Sequence, residues 1–212
     1  MTSMSSQPGV SGSGFIDPNT LSFYSHVHSS IDEISSEFLN DSLELSLVKC
    51  QLGFQNTWIK SCTESDEISQ PVEEWIRSGG FHQEQIGYDS RDGEWKTFPL
   101  WKSDQPQLAS TIKNFLPRTI QVLESVPDLY FASFFKQPPK ANIKTHHHIL
   151  EHYIAHFLLN DLVDGHALIQ VNQSKRVLKN KGDCVVFDYT YPHSSMNLSN
   201  TDRINLVIDF KL

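Results

Sequence analysis

Cysteine is scarce in this 212-residue chain: Cys50, Cys62 and Cys184 are an odd number without C-x-x-C spacing. That excludes a disulfide framework and a thiolate zinc site, and leaves free buried thiols as the expectation. Positive charge is also short, with 17 Lys and Arg against 25 Asp and Glu and a net charge of −8. Few cations are free to displace counterions from a phosphate backbone, so neither nucleic acid nor an anionic membrane is an expected partner. No apolar run approaches the roughly 18 residues that span a bilayer, and the amino terminus lacks a basic patch followed by an apolar stretch. The sequence therefore reads as cytosolic.

What is present is apolar surface enough for a core: 38% hydrophobic residues, with 11% aromatic. The length suits one domain. Residues 1–14 are Ser/Gly-rich without apolar periodicity and read as a disordered lead-in, residues 15–127 as a helical or mixed part packing on the core, and residues 128–212 as the β-rich core. Leu21, Tyr24, Val27, Ile31, Ile34 and Phe38 recur every three or four positions, which predicts an amphipathic helix over 20–40 lying on a sheet. Pro71, Glu73, Glu74 and the Gly79-Gly80 pair bound a short helix at 71–78. Leu108, Ile112 and Phe115, then Ile120 and Leu123, keep helical spacing on either side of Pro117, which must split them into two helices.

From about residue 128 short β-rich runs replace the helical spacing, at 128–136, 141–147, 152–159, 166–172, 175–179, 183–189 and 203–211. Turn signals such as Asn180-Lys181-Gly182-Asp183 separate them and no helices intervene. The fold class is thus mainly β with flanking α-helices, a jelly-roll or cupin-like double-stranded β-helix rather than βαβ units.

Seven of the ten histidines fall between positions 146 and 193: His146, His147, His148, His152, His156, His166 and His193. Neutral imidazole is the commonest side-chain ligand for first-row divalent metals, although a cluster of histidines is equally compatible with a solvated surface. More informative is Val185-Val186-Phe187-Asp188-Tyr189-Thr190-Tyr191-Pro192-His193, followed ten residues later by Arg203 at the start of the last strand. An apolar strand delivers a histidine at its exit, and the next opens with a guanidinium whose fork suits a carboxylate. Phe187, Tyr189 and Tyr191 are expected to pack. Asp188 is expected either to orient a ligand imidazole or to face water.

These residues resemble the aspartyl/asparaginyl β-hydroxylase family of 2-oxoglutarate and Fe(II)-dependent oxygenases, over residues 86–212 and best over Gly182 to Asp209. Gly182, Phe187-Asp188, His193 and Arg203 fill the family pattern, which implies that His193 is an iron ligand and that Arg203 binds the distal carboxylate of 2-oxoglutarate. Ile143-Lys144-Thr145-His146 reproduces an Ile-x-x-His pattern and implies His146 as the other ligand. Ser133 and His156 resemble residues that face the co-substrate. The implied enzyme is a hydroxylase using dioxygen, with a small amino-acid-like molecule or a peptide as substrate; its oligomeric state is not implied. Two departures stand out: His148 occupies the position where facial-triad oxygenases carry a carboxylate, and could supply a third nitrogen, and Ile154 occupies a position where the family often has arginine.

Three rival readings compete. A cupin-like barrel could use His146, His148 and His193 without 2-oxoglutarate, and would not need Arg203. A binding module without activity could keep the same barrel. His148-Ile149-Leu150-Glu151-His152 also matches the HxxEH pattern of zinc peptidases, which requires a helix there and a downstream glutamate that the chain lacks.

Overall fold

A computed structural model of the protein describes residues 12–38, 82–83, 96–104, 106–148 and 150–212. The helix expected at 71–78, the segment before residue 12, Cys50 and Cys62 lie outside the described residues. Strands are β1 (Phe15–Ile16), β2 (His82–Gln83), β3 (Lys96–Lys102), β4 (Leu129–Gln137), β5 (Asn142–His146), β6 (Tyr153–Leu158), β7 (Ala167–Val171), β8 (Ser174–Leu178), β9 (Cys184–Asp188), β10 (His193–Asn197) and β11 (Arg203–Phe210). Helices are α1 (Tyr24–Ser29), α2 (Ile31–Phe38), α3 (Pro106–Ile112) and α4 (Pro117–Leu123), preceded by a 3₁₀ turn at Pro18–Thr20.

The strands form two sheets: β1-β9-β6-β11-β4-β3-β2 and β5-β10-β7-β8, and every described pairing is antiparallel. This is the jelly-roll architecture of cupins and double-stranded β-helices. The larger sheet draws β1, β2 and β3 from the part of the chain before residue 128.

Strand β11 shows how the sheet divides its two faces. All eight of its residues are buried, because α-helices cover one face and the second sheet the other. Ile204, Leu206, Ile208 and Phe210 join the helix-side core with Phe134 of β4, Phe157 of β6 and Val27, Ile31, Ile34 and Phe38 of α1 and α2. Fully burying each such side chain contributes about 1.5–3 kcal/mol relative to exposure. The alternate residues Arg203, Asn205, Val207 and Asp209 face the space between the sheets.

The helix expected over 20–40 is real but interrupted. Ser30 adopts φ −97° and ψ 1°, and its hydroxyl donates to the His26 carbonyl at 3.0 Å, closing α1 just before Ile31 opens α2. The two helices flanking Pro117 are present, with Pro117 at the first position of α4, where its missing N–H costs nothing. Four strands were not expected: the two-residue β1 and β2, and the longer β3 and β10. β3 carries Pro99, and its register with β4 shifts between Pro99 and Trp101, while its Phe98 and Leu100 are fully buried. β10, with the sequence His-Ser-Ser-Met-Asn, has too few apolar residues to show alternation, yet pairs with both β5 and β7.

Candidate metal centre

The space between the sheets holds a cavity of about 190 Å³, lined from β4, β5, β6, β7, β9, β10 and β11. Three histidines meet there. His146 ends β5, His193 begins β10 and is its direct cross-strand partner, and His148 follows on the loop after β5. One ring nitrogen from each can be chosen so that all three lie within 4.8 Å of one another, a spacing that small ring rotations close onto one ion. His147 between them is exposed, as alternation along an extended chain requires.

His146 faces inward because of a bulge. The β10–β5 register runs His193↔His146, then Ser195↔Ile143, so two steps on β10 match three on β5. The extra residue reverses alternation and lets Ile143 and His146, three apart, both line the cavity. Each of the two paired histidines is set in the same way. His146 Nδ1 lies 2.8 Å from the Lys144 carbonyl oxygen, and His193 Nδ1 lies 2.8 Å from that of Tyr191. A carbonyl oxygen only accepts, so each neutral ring carries its proton on Nδ1 and offers the Nε2 lone pair to the cavity. Burial, opposed by the Tyr191 bond and aided by the neighbouring histidines, holds His193 down at about 4. Burial and then the adjacent His146 and His147 hold His148 at about 4. Both rings are therefore neutral at ordinary pH, the form that binds metal.

Arg203 lies beyond His193. Its side chain is 3% exposed, and burial alone pushes the guanidinium down to about 9. Its Nη1 donates to Gln137 Oε1 at 3.0 Å and to Ser195 Oγ, and its Nε donates to Asn205 Oδ1 at 3.3 Å. These acceptors are neutral, and among the described residues no carboxylate pairs with it. Asn205 Nδ2 donates in turn to His156 Nδ1 at 3.1 Å. His156 stacks parallel to Phe187 at 5.8 Å, and burial followed by the Arg203 charge keeps it well below an ordinary imidazole. Ser133 pairs with Val207 and shares its cavity-side face; it is fully buried, and its Oγ has no hydrogen-bond partner among the described residues. That is an orphaned polar atom on β4 between the lining residues Phe131 and Phe135, although Ser133 itself is not one of the residues lining the cavity.

Several placements differ from expectation. Phe187 and Tyr189 line the cavity instead of merely packing, with ring centroids 5.1 Å from His193 and 4.2 Å from His148 respectively. Asp188 neither orients an imidazole nor simply faces water: its Oδ1 accepts from the Thr190 amide at 2.9 Å and the Thr190 hydroxyl at 2.7 Å, shaping the turn that leads to His193. His152 does not join His148. Its Nδ1 lies 2.8 Å from Asp209 Oδ1, and residues 150–152 form no helix, so the arrangement that a zinc peptidase needs is absent there. Sequence reasoning missed Gln137, Ser195 and Asn205, which hold Arg203, and Asp209. Strict alternation from Arg203 along its own strand would have found Asn205 and Asp209.

Fold and donor set together define a cupin-type double-stranded β-helix with a candidate three-histidine metal centre. More particularly, the chain belongs to the aspartyl/asparaginyl β-hydroxylase family, whose model matches residues 63–212, and that family is one of hydroxylase enzymes. No curated protein sequence matches the chain. Similar solved structures include a predicted oxalate decarboxylase from Thermotoga maritima, 18% identical over 57% of this chain and 83% of that one, with a TM-score of 0.40. The Cnp3 cupin domain of Schizosaccharomyces pombe is 12% identical over 60% and 74% of the two chains, with a TM-score of 0.39. Likeness at this level concerns shape alone. No helix among the described residues is long and apolar enough to cross a membrane.

Proposed function

We propose that the protein is a non-haem Fe(II), 2-oxoglutarate-dependent hydroxylase acting on an amino-acid-like molecule or an aspartyl or asparaginyl side chain. One observation supports this above the others: a buried guanidinium without a carboxylate partner among the described residues shares a cavity with three converging imidazoles. A buried charge lacking a counter-charge is costly, and an anionic ligand relieves the cost. A metal chelator with a second carboxylate at its far end satisfies both halves of the cavity at once. Fe(II) suits a nitrogen donor set that leaves coordination positions open, and the orphaned Ser133 hydroxyl is a donor for a co-substrate oxygen.

In this reading His146, His193 and His148 hold the ion through ring nitrogens, and Arg203 fixes the distal carboxylate, itself held by Gln137, Ser195 and Asn205. His156 and Phe187 form an apolar wall that limits water around the co-substrate. Bound there, iron, 2-oxoglutarate and dioxygen supply C–H hydroxylation, with 2-oxoglutarate converted to succinate and carbon dioxide. The chain's own part is to orient the co-substrate, keep the His148 and His193 rings neutral and present the target carbon.

The test is anaerobic addition of Fe(II) and 2-oxoglutarate, which should produce the visible charge-transfer band of their chelate. His193→Ala should abolish it, and a full band in that variant would overturn the ligand assignment. A second reading rests on His148 standing where a carboxylate ligand is usual: a three-histidine cupin centre that does not use 2-oxoglutarate. Tight metal binding by the wild type without any 2-oxoglutarate band would favour it.

A further inference from the structure

The cavity has a second charged end that the proposed chemistry leaves unassigned. Arg203 and Asp209 stand on the same face of β11, six residues apart, and both line the cavity. At about 3.4 Å per residue that separation is roughly 20 Å along the strand. The histidines lie between these ends. His193 neighbours Ser195, which accepts from Arg203, while the His148 ring packs on Tyr189, whose hydroxyl reaches Asp209.

Asp209 is 5% exposed, and its two contacts are both donors: His152 Nδ1 at 2.8 Å to Oδ1 and Tyr189 Oη at 3.1 Å to Oδ2. Each carboxylate oxygen therefore keeps a lone pair for a ligand. Around it the cavity is apolar or aromatic: Phe131 and Ile154 are its cross-strand partners on either side, and Val207 precedes it on the same face. Arg203, at the far end, is the only lysine or arginine among the described lining residues.

We propose that Asp209, oriented by Tyr189 and His152, is the subsite for a cationic group of the substrate, an ammonium or guanidinium carried on an apolar segment that rests against Phe131 and Ile154. This deepens the oxygenase reading and rests on it for the chemistry performed. The two ends of the cavity divide the work by charge. The guanidinium end takes an anion on one side of the histidines, and the carboxylate end takes a cation on the other. A substrate with an acidic group directed at this end would meet the Asp209 carboxylate and no lysine or arginine among the described lining residues, an arrangement that costs binding energy.

The test uses pentylammonium and pentanol, chains of equal length with a cationic and a neutral head, titrated calorimetrically against the metal-free protein at neutral pH. Pentylammonium should bind at least tenfold more tightly than pentanol, and that ratio should fall to about one in Asp209→Asn. Should Asp209→Asn fail to unfold cooperatively, Ile154→Arg decides. The β6–β11 register places that side chain directly across from Asp209, where it would neutralise the carboxylate and remove the preference. No preference in the wild type, or one that survives in the folded variants, overturns the proposal. The 2-oxoglutarate titration with Fe(II) reads the oxygenase assignment separately. Lost amine selectivity with that titration intact sinks only the cation subsite, and a failed titration with selectivity intact sinks only the oxygenase.

Discussion

Replacing Arg203 by methionine should separate stability from co-substrate binding. Burial depresses its pKa to about 9, well below that of an ordinary guanidinium, which corresponds to roughly 4–5 kcal/mol of desolvation that folding absorbs. The contacts to Gln137, Ser195 and Asn205 return part of it, on the order of 1.5–3 kcal/mol each for a charged donor, before the loss of their own hydration. The opposing contributions are of similar size, so the ligand-free Arg203→Met protein should stay within about 2 kcal/mol of wild type, a shift in Tm of at most about 8 °C. Binding of 2-oxoglutarate should respond very differently. Losing a buried, bidentate charge-assisted contact costs about 2–5 kcal/mol, a fall in affinity of about thirtyfold to several thousandfold. The pH dependence carries a sign as well. With the folded-state pKa depressed, the unfolded chain binds the proton more tightly, so wild type gains stability relative to the variant as pH rises from about 9. Urea unfolding and anaerobic titration of the Fe(II) chelate measure both quantities. A variant destabilised by more than about 4 kcal/mol, or one that binds 2-oxoglutarate normally, would refute the reasoning.

Two further outcomes follow from the same geometry. Ser133→Ala removes a buried hydroxyl with no partner, so the ligand-free protein should be unchanged or more stable by up to about 1 kcal/mol, while 2-oxoglutarate affinity falls about fivefold or more; a stability loss with unchanged affinity would make the serine purely structural. The metal-free protein should lose stability as pH falls from 6.5 towards about 4, because His148 and His193 stay neutral in the fold while the unfolded chain takes up protons. Urea midpoints across that interval give the slope, which should shrink in His193→Gln; an equal slope in that variant would contradict the assigned burial.

How much of this was legible beforehand can be judged strand by strand. The runs that became β4, β6, β9 and β11 are rich in β-branched and aromatic residues because both of their faces are covered, and their composition announces them. β10 is silent because Ser194, Ser195 and Met196 are only partly buried, and the strand is held by pairing on both edges instead of by an apolar face. β3 is silent because Pro99 argues against a strand, and it is tolerated where the register slips. Asp188 shows the same limit at the scale of one residue: its sequence position suits a partner for a ligand, and only the local turn shows that its acceptor is spent on Thr190.

By itself the sequence determined that this chain is a β-rich barrel flanked by helices, and it marked His146, His148, His193 and Arg203 as candidate site residues. Side-chain type and the two-residue alternation of strands are local properties, visible one segment at a time. Only the tertiary structure decided that His146 points inward, since that depends on a register slip against β10, and that Gln137, Ser195 and Asn205 surround the guanidinium. It also decided that Asp209 closes the opposite end of the cavity. Those outcomes depend on which strands become neighbours, and pairing across dozens of residues leaves no mark in the residues that are brought together.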